Sequence, residues 1–264
     1  MNDRELVDRF EAAQAIAREA GEIALEYFRK FDDLQVTQKG AQDMASEADV
    51  AVEVLIRERL AARFPEDGFY GEESGRSDER GDGERLWVVD PIDGTACFVT
   101  GIPVWCVSIA FVVGDDALIG VVYDPNADEM FAARQGSGAT LNGQPIRPSD
   151  ADSFADGMVG VGYSTRTAPA PALEFLAGLL ADGGMFIRNG SGALMITYVG
   201  AGRLLGYYEA HLNSWDGAAA IAIVREAGGW TNDFLAGDGL TKGNVVAAVA
   251  PRLVPAMKRL AGLE

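Results

Sequence analysis

Leu86-Trp87-Val88-Val89-Asp90-Pro91-Ile92-Asp93-Gly94-Thr95 is the stretch on which the reading turns. An apolar run with strand character, Leu86 to Val89, leads directly into two aspartates three residues apart, with Pro91 between them and Gly94 after them. Hard divalent cations prefer carboxylate and carbonyl oxygens, and a strand end holds such oxygens on rigid backbone. Pro91 stiffens the turn, and Gly94 lets backbone N–H groups come close to a phosphate. Asp-Pro and Asp-Gly are also ordinary turn pairs, so the segment needs company before it marks a site.

Two other acidic segments supply that company. Gly71-Glu72-Glu73 follows the apolar pair Phe69-Tyr70, and Asn213-Ser214-Trp215-Asp216-Gly217 opens a run rich in Ala and Ile. Each has a bland reading of its own. Acidic pairs are usually solvated, and an Asp in a first helical turn is favoured by the helix dipole, here with Ser214 resembling an N-cap. Gathered together, such carboxylates repel one another unless cations stand among them, which makes the set costly as bare structure and sensible as a metal site.

Composition narrows the alternatives. In 264 residues, 48% of them hydrophobic, a substantial core can be buried in one large domain or two small ones. The formal net charge of -18 argues against holding nucleic acid by general electrostatics, so an anionic substrate needs a local cation. The single histidine, His211, leaves little room for imidazole triads or zinc sites. Cys97 and Cys106 lack CxxC spacing, which excludes a thiolate cluster or a disulfide scaffold and suits a reducing compartment. No apolar run approaches the roughly 18 to 20 residues of a membrane span, and Met-Asn-Asp-Arg-Glu does not open a signal peptide; the expectation is a cytoplasmic protein with no membrane partner.

Phe10, Ala13, Ala17, Ala20, Ile23, Ala24 and Tyr27 recur at helical intervals and predict a helix from about Glu5 to Phe28. A second helix is expected from near Ser46 to before Pro65, with Val50, Val54 and Leu55 as core candidates. Phe69-Tyr70, Leu86 to Val89, Val104 to Val113 and Ala117 to Tyr123 read as strands, and Asn142-Gly143 as a hairpin turn. Ser74 to Glu84 reads as an exposed loop and Arg147 to Asp156 as a link to a second half. In that half Met158 to Val161, Phe186-Ile187 and Leu204 to Tyr208 are expected strands. Ala170 to Leu180, Gly192 to Val199 and Trp215 to Ala227 are expected helices, the last stopped by Gly228-Gly229.

Trp87 through Thr95, together with Trp215-Asp216-Gly217-Ala218-Ala219-Ala220 through Glu226-Ala227-Gly228-Gly229, resembles the two signatures of the inositol monophosphatase family of lithium-sensitive sugar phosphatases. Gly71-Glu72-Glu73, and Asp49 in Ser46-Glu47-Ala48-Asp49, fall where that family carries carboxylates, so the resemblance spans nearly the whole chain. It implies an α+β fold, a layered α-β-α-β-α sandwich, with a larger part over 1–147, a smaller part over 148–264 and the site between them. It implies Glu72, Asp90, Asp93 and Asp216 as side-chain metal ligands and the Ile92 carbonyl as a backbone ligand, for two or three Mg2+ ions. Thr95 and Asp49 resemble the pair that, with Glu72, orients and deprotonates the attacking water, although Ser46-x-x-Asp49 is also close to a capping box. Asp93, Gly94, Thr95, Gly190-Ser191-Gly192, Glu209 and Asp216 resemble the substrate contacts, and Lys39 falls on what the family makes a mobile loop. A homodimer, and hydrolysis of a small phosphate monoester by direct in-line attack of water, are implied as well.

Several departures bear on specificity. Ala45-Ser46 stands for the usual Val-Thr, Ala96-Cys97 for Thr-Asn, Gly192 for Ala and Leu205 for Asp. The metal set is intact while the substrate wall is unusual, so myo-inositol 1-phosphate leads, followed by histidinol phosphate, then fructose 1,6-bisphosphate and the 3'-phosphate of adenosine bisphosphates. The reading from another class is a protein that keeps this fold mainly to bind a partner, as a bacterial relative resembles in doing. Cys97 invites a nucleophile reading but has no basic partner nearby in sequence. His211 reads as a surface or capping histidine, and Trp87 and Trp215 as core.

Overall fold

The computed structural model describes residues 2–40, 43–77 and 85–263. Helix α1 (Asp3–Phe28) starts two residues before the expected Glu5, because Asn2 and Glu5 close a capping box around its first turn. Strands β1 (Val36–Gly40) and β2 (Asp43–Ser46) pair antiparallel, so Lys39 lies in a strand and not on a loop. Helix α2 (Glu47–Arg63) is capped by Ser46, as its sequence predicts. Its inner face is not the predicted one: Val50 and Val54 are 50% and 37% exposed, Leu55 is only partly buried, and Ala48, Asp49, Val52, Glu53, Ile56 and Leu60 point inward. Two of those inward residues are carboxylates, so a search for apolar periodicity selects the wrong side.

An eight-stranded sheet follows, built from β3 (Gly68–Gly71), β4 (Gly75–Ser77), β5 (Arg85–Asp93), β6 (Cys106–Val113), β7 (Asp116–Asp124), β8 (Glu129–Arg134), β9 (Ala139–Leu141) and β10 (Gln144–Pro145). Its order is β10-β9-β8-β7-β6-β5-β3-β4, and β3 with β5 is its one parallel pair. Asn142 and Gly143 turn β9 into β10 as predicted. Of the expected loop from Ser74 to Glu84, Gly75–Ser77 forms the edge strand β4, and 78–84 fall outside the described residues. Along β5, Trp87 and Val89 face one core while Leu86 and Val88 face another. A strand buried on both faces reads as a continuous apolar run, which is why this one is legible.

A short helix α3 (Thr95–Phe98) leaves β5. The second sheet contains β11 (Met158–Val161), β12 (Met185–Ile187), β13 (Gly206–Leu212), β14 (Trp230–Thr231) and β15 (Asn244–Val249), in the order β12-β11-β13-β15-β14. Helices α4 (Ala170–Ala181), α5 (Gly192–Gly200), α6 (Ser214–Glu226), α7 (Gly239–Lys242) and α8 (Val254–Ala261) complete the chain. The layers alternate: α1 and α2, the eight-stranded sheet, α5 and α6, the five-stranded sheet, then α4 and α8. This is the α+β sandwich expected from the sequence. Core residues such as Ala17, Ile56 and Phe111 fill the first interface, Val88, Phe131, Ile196 and Ile223 the middle layers, and Phe154, Phe175 and Met257 the last. Strands β1, β2, β8, β14 and β15 and helices α3, α7 and α8 were not foreseen. Strand β13 runs later than expected, which puts Glu209 inside it. Among the described residues, no helix is long and apolar enough to cross a membrane.

Candidate active site

Parallel pairing of β3 and β5 brings their carboxyl ends together. Gly71 lies opposite Val89, so the chain leaves β3 at Glu72 beside Asp90, and the Glu72 N–H donates to the Val89 carbonyl at 3.2 Å. Strand β5 does not stop at Asp90. It continues through Pro91 to Asp93 with a shift of register against β6, an irregularity suited to a residue that lacks an N–H. Gly94 follows at φ +105°, where an added Cβ would stand 2.8 Å from the Val104 carbonyl oxygen, and begins α3. Asp216 arrives from the first turn of α6. Ser108, paired with Asp90 across β5 and β6, donates its hydroxyl to the Trp215 carbonyl at 3.2 Å and so ties that turn to the strand. Ser214 is not the expected cap: its hydroxyl donates to the Leu240 carbonyl at 2.7 Å, and Asn213 takes the cap position.

Glu72, Asp90 and Asp216 each offer a carboxylate oxygen within 4.8 Å of the others. Asp90 is 1% exposed. Burial first, then the negative charge of Glu72, Asp93 and Asp216, pushes its carboxyl well above the usual range, while Asp216, only partly exposed at the wall, is pushed up to about 8 by desolvation and then by the charge of Asp93. Three oxygen donors whose ionised forms destabilise one another fit a hard divalent cation, which would offset that repulsion. Asp93 stands apart from the trio on one side: its Oδ2 accepts from the Ser191 hydroxyl and, at 2.8 Å, from the Ala193 N–H. Burial still raises it to about 6 against those hydrogen bonds. Of the donors around Gly190-Ser191-Gly192, expected to be free for substrate, the Ser191 hydroxyl and the Gly192 N–H are directed at Asp93, since the start of α5 favours an anion, while the Ser191 N–H donates to Asn189 Oδ1 at 2.9 Å.

Asp49, 0% exposed, serves both of its sequence readings. One oxygen, Oδ2, accepts from the Ser46 N–H at 2.8 Å and its hydroxyl at 2.6 Å, and the other lies 3.1 Å from the Thr95 hydroxyl. Burial lifts its carboxyl to about 6. The Thr95 hydroxyl also lies 3.0 Å from the Ile92 carbonyl; with one proton, it serves one acceptor at a time. A cavity of about 560 Å3 unites Glu72, Asp90, Ile92, Asp93, Gly94, Thr95, Gly190, Gly192, Glu209 and Asp216. Asp49 and Ser191 are buried behind them. Glu209 receives the Tyr207 hydroxyl at 2.6 Å and is pushed up to about 7 by burial, against the opposing effects of Tyr207, Arg188 and Arg166.

A family model described as the inositol monophosphatase family matches residues 5–261. The chain belongs to that family. It is 39% identical over 241 residues, 90% of each chain, to a Pasteurella multocida protein named Nus factor SuhB. Its structure is similar to that of extragenic suppressor protein suhB from Bartonella henselae, with a TM-score of 0.88 and 33% identity over 95% of this chain and 97% of that one. It is also similar to the inositol monophosphatase of Anabaena (Nostoc) sp. PCC 7120, with a TM-score of 0.83 and 28% identity over 97% and 96% of the two chains.

Within the inositol monophosphatase frame, some departures meet the cavity and others do not. Ala96, Cys97 and Gly192 line it. Leu205 packs in the last core, against Gly157, so its replacement of an aspartate is a matter of packing and not of the substrate wall. Burial raises the Cys97 thiol despite Arg188 nearby, which disfavours a nucleophile. His211 lines the cavity, with Nε2 donating to the Lys242 carbonyl at 2.8 Å; among the described residues its buried Nδ1 finds no partner. Trp87 is core, whereas Trp215 is only partly buried, edge-on to Tyr70. Arg166, Arg188 and Tyr207 also line the cavity and were not foreseen, because each sits in a segment without a motif.

Proposed function

We propose that this chain hydrolyses a small phosphate monoester in a Mg2+-dependent reaction, with myo-inositol 1-phosphate the leading substrate. The observation that carries this reading is the trio Glu72, Asp90 and Asp216, with oxygens within 4.8 Å in a cavity that Asp93, Gly94 and Thr95 also line. These side chains, with Asp93 and the Ile92 carbonyl, would hold two or three ions. Mg2+ bound there supplies charge neutralisation, a bound water of lowered pKa and stabilisation of the leaving alkoxide. The Thr95 hydroxyl, donating to Asp49, leaves its lone pairs to orient the attacking water. Asp49, lifted to about 6, is matched to taking a proton near neutral pH, with Glu72 assisting. Gly94 and Thr95 meet the phosphate, and Glu209, steadied by Tyr207, accepts from a substrate hydroxyl. Arg166 and Arg188 on the same cavity wall oppose a cationic alcohol, which favours a neutral polyol over histidinol phosphate.

The test is phosphate release from inositol 1-phosphate, histidinol phosphate, fructose 1,6-bisphosphate and adenosine 3',5'-bisphosphate, each with Mg2+ and with EDTA. One strong Mg2+-dependent substrate is expected, inhibited by millimolar lithium. Silence from folded protein across the panel would overturn the reading. It would favour the second one, partner binding, which the name Nus factor on relatives such as the Pasteurella protein supports. The absence of a nucleic-acid partner then rests only on the charge of -18, which suits a basic protein better than RNA. A homodimer belongs to the same proposal, supported by the exposed Met185, Phe186 and Ile187 along the edge strand β12 and checked by light scattering. So do the division of the chain at Arg147 and a cytoplasmic setting, the latter in keeping with two free, buried cysteines.

A further inference from the structure

Glu53 lies one helical turn beyond Asp49 on α2 and is 3% exposed. A buried carboxylate must be satisfied, and two acceptor oxygens are available. Oε2 accepts from the Glu73 N–H at 2.8 Å, and Oε1 accepts from the Ser74 N–H, also at 2.8 Å. One carboxylate thus grips two successive backbone donors of the turn that carries Glu72. On the other side of Glu72, a Cβ added to Gly71 would stand 2.3 Å from the same Oε2, so the glycine is bare where the carboxylate lies against it. The backbone of Glu72 is held by its own N–H on Val89, by a glycine pressed on Glu53 and by two N–H groups bonded to Glu53.

We infer that Glu53 is a positioning residue for the metal centre: it fixes the turn that aims the Glu72 carboxylate at Asp90 and Asp216. The inference rests on Glu72 being a metal ligand, as proposed above. The i, i+4 spacing lets one face of α2 reach both loops of the site, Asp49 toward Thr95 and Glu53 toward Glu72. Both oxygens are needed. The amide of a glutamine would present an NH2 to one of the two N–H groups, and an aspartate is one methylene too short to keep both.

The test measures Mn2+ binding by the paramagnetic resonance of the free ion, together with thermal unfolding, in wild type, Glu53→Gln, Glu72→Gln and the double variant. Loss of a supporting group around a metal ligand weakens metal binding by roughly 10- to 100-fold, and that is expected for Glu53→Gln, with the half-saturating Mg2+ for phosphate release rising in step. If Glu53 acts through Glu72, the double variant binds hardly less than Glu72→Gln alone. Wild-type Mn2+ affinity in a folded Glu53→Gln, or a full additional loss in the double variant, overturns the inference and leaves a merely structural carboxylate. Absence of Mn2+ binding in the wild type overturns the metal reading itself. Should Glu53→Gln not fold, Gly71→Ala carries the test: its methyl group displaces Oε2, and it is expected to weaken Mn2+ binding over the same range, unchanged affinity counting against the role.

Discussion

Asp93 has one oxygen bonded to the start of α5 and a place on the cavity wall, so its replacement separates chemistry from folding. Asn keeps the shape and one acceptor. Asp93→Asn is expected to cut turnover by more than the roughly 100-fold that a supporting residue costs a metal site, while circular dichroism stays native. Normal turnover in the folded variant would take Asp93 out of the site. Thr95 is the complementary case. Its hydroxyl lies between Asp49 and the Ile92 carbonyl, and Thr95→Ala is expected to lower kcat by about 10^2- to 10^4-fold with KM nearly unchanged, since on the proposed mechanism the proton route through the hydroxyl is lost while the backbone N–H groups at 94 and 95 still meet the phosphate. Thr95→Ser should recover most of the rate. A large rise in KM with kcat intact would make Thr95 a binding residue instead.

At the scale of elements, one capping box links the stability of α2 to the catalysis proposed for Asp49. Ser46 donates both its N–H and its hydroxyl to Asp49, while its own oxygen accepts from the Ala48 N–H. Ser46→Ala removes the hydroxyl and should cost about 1 kcal/mol in urea unfolding. It also removes one of the bonds that hold the Asp49 carboxyl down against burial, so that carboxyl rises further. If Asp49 takes the proton in its ionised form, the acidic limb of the pH–rate profile moves to higher pH in this variant. An unmoved limb would assign that limb to another group.

At the scale of the whole molecule, the raised carboxyls link pH to stability, and the proposed metal would couple to both. Asp49 and Asp93 are raised to about 6, Glu209 to about 7 and Asp216 to about 8, above the unfolded values of about 3.9 for Asp and 4.3 for Glu. The folded state therefore binds more protons than the unfolded state between those limits, and stability falls as pH rises. The contribution is fully present below about pH 4 and is lost progressively up to about pH 8. In EDTA, the melting temperature is expected to decline across that window. With Mg2+ the decline flattens, and metal addition at pH 6 to 7 releases protons into a weakly buffered solution. A metal-free melting temperature that holds level or climbs over that range would contradict the strain assigned to this site.

Legibility tracked locality. The strand Leu86 to Val89 could be read because it is apolar on both faces, the caps at Ser46 and Gly228 because they are local chemistry, and Asp90, Asp93 and Asp216 because two motifs carry them, with Glu72 in a short acidic segment of its own. What failed was what depends on distant neighbours. Val50 and Val54 look like core until the inward face of α2 is found occupied by Asp49 and Glu53. Leu205 looks like a substrate residue until its partner proves to be Gly157. Arg166, Arg188 and Tyr207 carry no signature at all. The sequence by itself determined most of the elements through hydrophobic periodicity, and its family resemblance implied the fold class and the acidic set, since such patterns and motifs are written in the chain a few residues at a time. Only the tertiary structure decided which oxygens converge. The parallel register of β3 against β5 and the anchoring of α6 on Ser108 set those distances, and neither leaves a local trace in the chain.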